Sequence, residues 1–158
     1  MRERKRKQQN RRERHAKRDG LAIGHLENHL GYFLRRLQIW IFRDFIERLA
    51  RIDVRPAQYS VLLVIEANPG RSQAAIGETL NIERSRLARL LHALERRGWV
   101  ERRSSTRDGR SHSLHLTREG EAALKRIKAV TSRHEDDVAA FVGEKRHAEL
   151  MKLLRDFG

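Results

Sequence analysis

The sequence predicts a mainly α-helical chain with one small β-hairpin (α+β). Three observations carry that expectation. Apolar residues recur at three- and four-residue spacing through most of residues 24–157. The breaks in that spacing fall at residues that start or stop helices: Pro56, Asn68-Pro69-Gly70, Ser72, Gly98, Thr117 and Gly143. The remaining stretch, 99–116, contains Asp108-Gly109, a pair suited to a tight hairpin because both central residues of a type I′ turn need positive φ.

From about 24 to 52, Leu26, Leu30, Phe33, Leu37, Trp40/Ile41, Phe45 and Leu49 keep helical spacing with no proline between them, which predicts one long amphipathic helix. Pro56 suits a first helical turn, Tyr59, Leu62, Leu63 and Glu66 follow in register, and Asn68-Pro69-Gly70 stops this second helix. Ser72 is a candidate N-cap for a third helix over 73–80 that buries Ile76 and Leu80; Ala75 at the reciprocal position leaves its capping box incomplete. After a brief connection at 81–82, a fourth helix over 83–97 carries Leu87, Leu90, Leu91 and Leu94 on one stripe, and Gly98 ends it in a left-handed cap. Two short helices joined by a tight turn suggest a helix-turn-helix. Trp99-Val100 then starts a strand that pairs across Asp108-Gly109 with 111–116, where Leu114 and Leu116 share a face, so the unit becomes a winged helix-turn-helix lobe. Thr117 caps a fifth helix with Glu119 in its positive first turn; Leu124, Ile127, Val130, Val138 and Phe141 mark its stripe to about 142. Past Gly143, a last helix over 144–157 carries Leu150, Leu153, Leu154 and Phe157.

The 158 residues and 39% hydrophobic content suit one modest core, and the formal charge of +14 points to a polyanionic partner: DNA, RNA or an acidic membrane surface. Residues 1–20 hold ten Lys or Arg against three Asp or Glu, a net of +7, with almost nothing apolar to bury. They read as a disordered basic arm able to lie on phosphates. No apolar run approaches the roughly 20 residues of a membrane span. The absence of cysteine excludes disulfides and thiolate metal sites and fits a soluble, cytoplasmic protein.

The stretches IERSRLARLLHALERRGWV (82–100) and DGRSHSLHLTREG (108–120) resemble the MarR family of transcriptional regulators, and the resemblance extends over roughly residues 25–157. In that family the wing reads Asp-x-Arg and passes through Leu-x-Leu-Thr into a helix that starts near Glu-Gly. Here Asp108, Arg110, Leu114, Leu116, Thr117, Glu119 and Gly120 occupy those places. The resemblance implies one MarR-type domain over 21–158, with a winged lobe at about 54–117 facing DNA. It also implies dimerisation helices at about 24–52 and 118–157 that interlock with those of a second copy. It further implies repression relieved by a small ligand.

On the fourth helix the leucine stripe faces inward, so Arg84, Ser85, Ala88, Arg89 and His92 lie on or beside the outward face that would enter a major groove. Arg can bridge guanine O6 and N7, and Ala88 suits a thymine methyl. Arg86 sits to the side, nearer phosphate. An ordinary solvated helix face carries the same residue types, and it is the adjoining wing that favours groove contact. In the wing, Arg107 and Arg110 would approach a minor groove. The resemblance assigns this most directly to Arg110, while Asp108 shapes the turn and braces an arginine. Ser72 and Gln73, at a helix N-terminus, offer backbone N–H groups to a phosphate or serve only as a cap.

The resemblance places an effector site between the long first helix, the second helix and the base of the fifth. Tyr32, Phe33, Arg35, Arg36, Trp40, Arg43 and Tyr59 lie in that region. Aromatic walls with a few arginines suit an aromatic carboxylate. LGYFLRRLQ also looks like regulators of aromatic-acid degradation, some of which take the acyl-CoA thioester, whose phosphates Arg35 and Arg36 could meet. Phe33 and Trp40, on an apolar stripe, are more often core residues than ligand contacts, and arginines on so basic a chain need no ligand. His25 and His29 are four residues apart, but Leu26 stands where a zincin has Glu and no third ligand is evident, so no metal is expected. His112 and His115 point to opposite faces of a strand. With no phosphate loop, dinucleotide fingerprint or nucleophile elbow, neither an enzyme nor a cofactor is expected. The rivals to a ligand-released repressor on a pseudo-palindromic operator are a constitutive, low-specificity nucleic-acid-binding protein and an adaptor using the basic tail.

Overall fold

The computed structural model describes residues 21–104 and 112–156. The basic arm at 1–20, the wing tip with Arg107, Asp108, Gly109 and Arg110, and Phe157 lie outside the described residues. The chain divides into two compact units, 1–39 and 40–158.

The first unit holds a 3-10 turn, Gly24–Asn28, and the opening turns of helix α1 (Leu30–Ala50). The continuous helix expected from residue 24 is therefore shorter at its start. Gly24 has φ +55°, and His29 is extended at φ −101°, ψ 110°, so neither continues an α-helical ladder. Nothing in the 3-10 turn is buried, and apolar spacing without packing does not hold a helix together.

In the second unit α2 (Pro56–Ala67) packs against α3 (Gln73–Leu80), α4 (Arg84–Arg96), β2 (His112–Leu116) and α5 (Arg118–Val142). Val61, Leu62 and Ile65 of α2 are fully withdrawn from solvent, as are Leu91 and Leu94 of α4, Leu114 of β2 and Leu124 of α5. Each such side chain contributes roughly 1.5–3 kcal/mol of transfer free energy. The caps stand where expected. Ser72 Oγ accepts from Ala75 N at 3.3 Å, Gly98 is left-handed at φ +66°, and Thr117 Oγ1 accepts from Gly120 N at 3.0 Å. The helix-turn-helix connection closes through Asn81 in the left-handed region (φ 49°) and Ile82 N donating to Gly77 O at 2.9 Å.

Strands β1 (Val100–Ser104) and β2 are antiparallel, with Val100 opposite Leu116 and Ser104 opposite His112. The chain just before α3 adds to this hairpin: Gly70 N donates to Leu114 O at 2.9 Å, Leu114 N donates to Arg71 O at 3.0 Å, and Ser72 bridges Ser113. These bonds fix the wing to the start of the helix-turn-helix. Helix α6 (Glu144–Arg155) follows Gly143 and buries none of its residues.

Candidate nucleic-acid interface and interhelical cleft

Helix α4 presents its outward face because the buried stripe of Leu87, Leu91 and Leu94 fixes its rotation. Arg84, Ser85, Arg86, Arg89 and His92 are exposed, and Ala88 is half-buried beside them. Charge on the lobe is unevenly committed. Arg97 stacks over the Trp99 ring at 3.8 Å and pairs with Asp53, Arg102 pairs with Glu95, and Arg103 pairs with Glu101. By contrast, the side chains of Arg84, Arg86, Arg89 and His92 make no hydrogen bond among the described residues. Arg84, Arg86 and Arg89 therefore keep exposed guanidinium groups on α4 that can meet an outside anion.

Two details at this face were not read from the sequence. Glu83 is the N-cap of α4: its carboxylate accepts from Ser85 N at 3.0 Å, Ser85 Oγ at 2.5 Å and Arg86 N at 3.3 Å. These bonds, the Ser85 hydroxyl foremost, hold its carboxyl below the usual glutamate value. The first-turn amides of α4 are therefore partly occupied by the chain's own anion, and Ser85, a candidate contact, has its hydroxyl engaged. Glutamate is not among the favoured caps, so the sequence carried little signal for it. The second detail is Arg102, whose Nε donates to Glu95 Oε1 at 2.5 Å while Nη1 donates to Gln73 Oε1 at 3.2 Å. It joins β1 to both helices of the helix-turn-helix. Gln73 is half-buried, with its amide oxygen turned to Arg102, and Ser72 caps the same helix from an exposed position.

A cleft of about 470 Å³ opens between the second half of α1 and α5. One wall is aromatic, with Trp40 stacked on Phe141 at 4.3 Å between ring centroids. The rest is an ionic chain. Arg48 donates from Nη2 to Asp137 and from Nε to Asp44 Oδ2, both at 2.7 Å, and the same Asp44 oxygen lies 2.7 Å from His134 Nδ1. The His134 hydrogen bond leads in holding the Asp44 carboxyl below its ordinary value, with Arg48 adding to it. His134 is 1% exposed, and its Nε2 has no hydrogen-bond partner among the described residues. Of the seven candidate effector residues, Trp40 and Arg43 line this cleft. Tyr59 lies in the same unit, its hydroxyl 3.0 Å from Thr131 Oγ1, and is not among the lining residues. Tyr32, Phe33, Arg35 and Arg36 belong to the first unit, where Tyr32 and Phe33 meet edge to face at 5.4 Å and Arg36 reaches the Tyr32 hydroxyl at 3.3 Å.

The sequence profile of the MarR family matches residues 52–111, the winged lobe as far as the wing tip. A putative transcriptional regulatory protein for the hcr operon of Thauera aromatica is 35% identical over 136 residues, which cover 85% of this chain and 82% of the relative. The chain belongs to the MarR family. Among solved structures, this MarR-family chain is similar to the transcriptional repressor CouR bound to a 23-mer DNA duplex, with TM-score 0.83 and 42% identity over 87% of this chain and 97% of that one. It is also similar to CouR bound to p-coumaroyl-CoA, with TM-score 0.77 and 40% identity over 87% and 96% of the two chains.

The protein is thus a MarR-family transcriptional regulator with a DNA-binding winged helix, in a family of regulators rather than enzymes. No helix among the described residues is long and apolar enough to cross a membrane. Nor do the described residues of this MarR-family chain bring three His, Asp or Glu together as a metal site; His25 lies in the 3-10 turn and His29 at its C-terminal cap.

Proposed function

We propose that this regulator is a homodimeric repressor that binds a pseudo-palindromic operator and is released by an aromatic acid or its acyl-CoA thioester. The likeness to CouR carries this reading, since CouR has been captured both with a DNA duplex and with p-coumaroyl-CoA. The unpaired arginines of α4 support groove contact, with Arg84, Ala88 and Arg89 toward base edges and Arg86 toward phosphate. Arg110, with Arg107 second, extends this contact to the minor groove. Trp40, Phe42 and Ile46 on α1 and Leu153 and Leu154 on α6 are apolar and at least 37% exposed, which supports a second copy covering them. The effector enters the α1–α5 cleft. By occupying a conformation in which the two recognition helices no longer fit successive major grooves, it shifts the population away from the operator-bound state.

Titration of a palindromic operator and of random duplex at several salt concentrations, with and without p-coumaroyl-CoA, tests this. The expected result is operator binding at least 10³-fold tighter than random binding, weakened by the thioester. A specificity ratio near one would instead establish a constitutive, low-specificity nucleic-acid-binding protein, for which the +14 charge alone suffices.

A further inference from the structure

We infer that Glu83 sets the polarity of the neighbouring Ser85 hydroxyl, so that Ser85 Oγ accepts a hydrogen bond in the major groove from an exocyclic amino group, adenine N6 or cytosine N4. Its premise is the entry of α4 into a major groove proposed above. Ser85 lies on the side of α4 away from the buried Leu87, Leu91 and Leu94, one turn before Arg89, and both are exposed.

Glu83 Oε2 lies 2.5 Å from Ser85 Oγ. The Glu83 carboxyl is held below the usual glutamate value and is ionised at neutral pH. An ionised carboxylate only accepts, so the proton between the two oxygens is the serine's own. The same carboxylate takes Ser85 N at 3.0 Å and Arg86 N at 3.3 Å, which ties it to the first turn beside the hydroxyl. A serine hydroxyl by itself meets donors and acceptors alike. With its proton given to Glu83, Ser85 Oγ keeps only lone pairs to offer DNA.

An acceptor on this face has few partners. Phosphate oxygens, guanine O6 and N7 and thymine O4 all accept and would leave Ser85 without a bond, whereas adenine N6 and cytosine N4 donate. The Glu83 charge also opposes phosphate, so it adds nothing to affinity for the DNA backbone. Capping alone does not call for this residue: the neutral Ser72 and Thr117 cap α3 and α5, and glutamate is not a favoured cap. Arg89, one turn on, can only donate. The face thus carries an acceptor and a donor about 6 Å apart along the helix axis. An amino-bearing base read by Ser85 then stands about one or two base pairs from a guanine read by Arg89. Glu83 is a positioning residue, and Ser85 touches the base.

The test uses the full chain and a duplex library randomised over about 20 base pairs, the span of two half-sites one helical turn apart. Sequencing of bound and free fractions gives relative affinities for wild type, Ser85→Ala, Glu83→Ala and Arg89→Ala. The position whose preference Ser85→Ala abolishes is the one Ser85 reads. Wild type is expected to accept A·T and C·G there, read from one strand, and to disfavour the reversed pairs T·A and G·C about fivefold or more, the value of one hydrogen bond. Glu83→Ala frees the hydroxyl to donate, so it should lose that discrimination while keeping the guanine preference that Arg89→Ala removes. Synthetic duplexes with purine for adenine, or pyrimidin-2-one for cytosine, at that position delete only the amino group. They should bind wild type about fivefold more weakly and Ser85→Ala no differently. No position answering to Ser85→Ala, discrimination that survives Glu83→Ala, or indifference of wild type to loss of the amino group would overturn the proposal. Loss of both preferences in Glu83→Ala would make Glu83 a cap alone and overturn its positioning role. A library in which no sequence is enriched would overturn the operator reading itself, and the inference with it. Amino-deleted duplexes scanned along the wild-type site need no variant, so a misfolded variant does not shield the proposal.

Discussion

Gly120 sits in the first turn of α5 where the backbone of Trp99 passes directly over it. A Cβ built there would lie 2.0 Å from the Trp99 carbonyl oxygen, well inside contact distance and against backbone that cannot swing aside. The same crossing is tied by Thr117 Oγ1, which donates to Gly98 O and accepts from Gly120 N, and by Thr117 N donating to Trp99 O at 3.1 Å. The glycine of the Thr117-to-Gly120 motif is therefore a packing requirement that locks the end of the wing onto the start of α5. Gly120→Ala is expected to destabilise the fold by about 1–3 kcal/mol, the range for overpacking a close contact. The check is a urea titration, in which the midpoint should fall with little change in slope. An unchanged midpoint would mean that the crossing relaxes freely. The motif's residues were plain in the sequence, but the reason for this one was not, because it depends on a backbone oxygen more than 20 residues upstream.

Elements bounded by local chemistry were legible: Ser72, Gly98 and Thr117 cap helices whose ends depend on residues next in the chain. The start of α1 was not, because Leu26 and Leu30 continue a helical period that the backbone at Gly24 and His29 interrupts. The ionic chain of the cleft was harder still, since Asp44 and His134 are 90 residues apart. One signal was present. Along α5 the apolar stripe runs Leu124, Ile127 and then Val138, and the positions between them in register are Thr131 and His134, both buried. Polar residues at core positions require partners, and searching for those partners leads to Tyr59 and Asp44. On α4 the leucine stripe orients the arginines, and the two parts of the winged lobe should answer differently to substitution. Arg89→Ala is expected to relax discrimination between operator variants, each lost base contact being worth about 1–3 kcal/mol. Arg110→Ala should weaken binding to all sequences and lower the salt slope by about one. Binding isotherms on operator, point-mutant operators and random duplex at several salt concentrations separate the two. Wild-type behaviour of both variants would move the DNA face elsewhere.

For the whole molecule, composition already pointed to a polyanionic partner, but the same +14 opposes self-association, because two such chains repel. A homodimer must therefore be held by apolar contact. Helix α6 contributes none of its side chains to the buried core, and Leu153 and Leu154 are 59% and 46% exposed, so these residues are available for that contact. Repulsion between copies is screened by salt and apolar attraction is not, so added salt should strengthen the dimer while weakening DNA binding through counterion release. The double variant Leu153→Glu/Leu154→Glu separates these effects. It changes no buried side chain, so melting of the lobe should be little affected, while sedimentation should show a monomer where wild type shows a dimer. Operator affinity should then fall by about 10²-fold or more, because the second half-site loses its tethered partner. Random-duplex binding should fall much less, since it follows local charge. A variant that sediments as wild type would place the dimer contact off this face of α6. A monomeric variant with undiminished operator affinity would show that a single lobe is the binding unit.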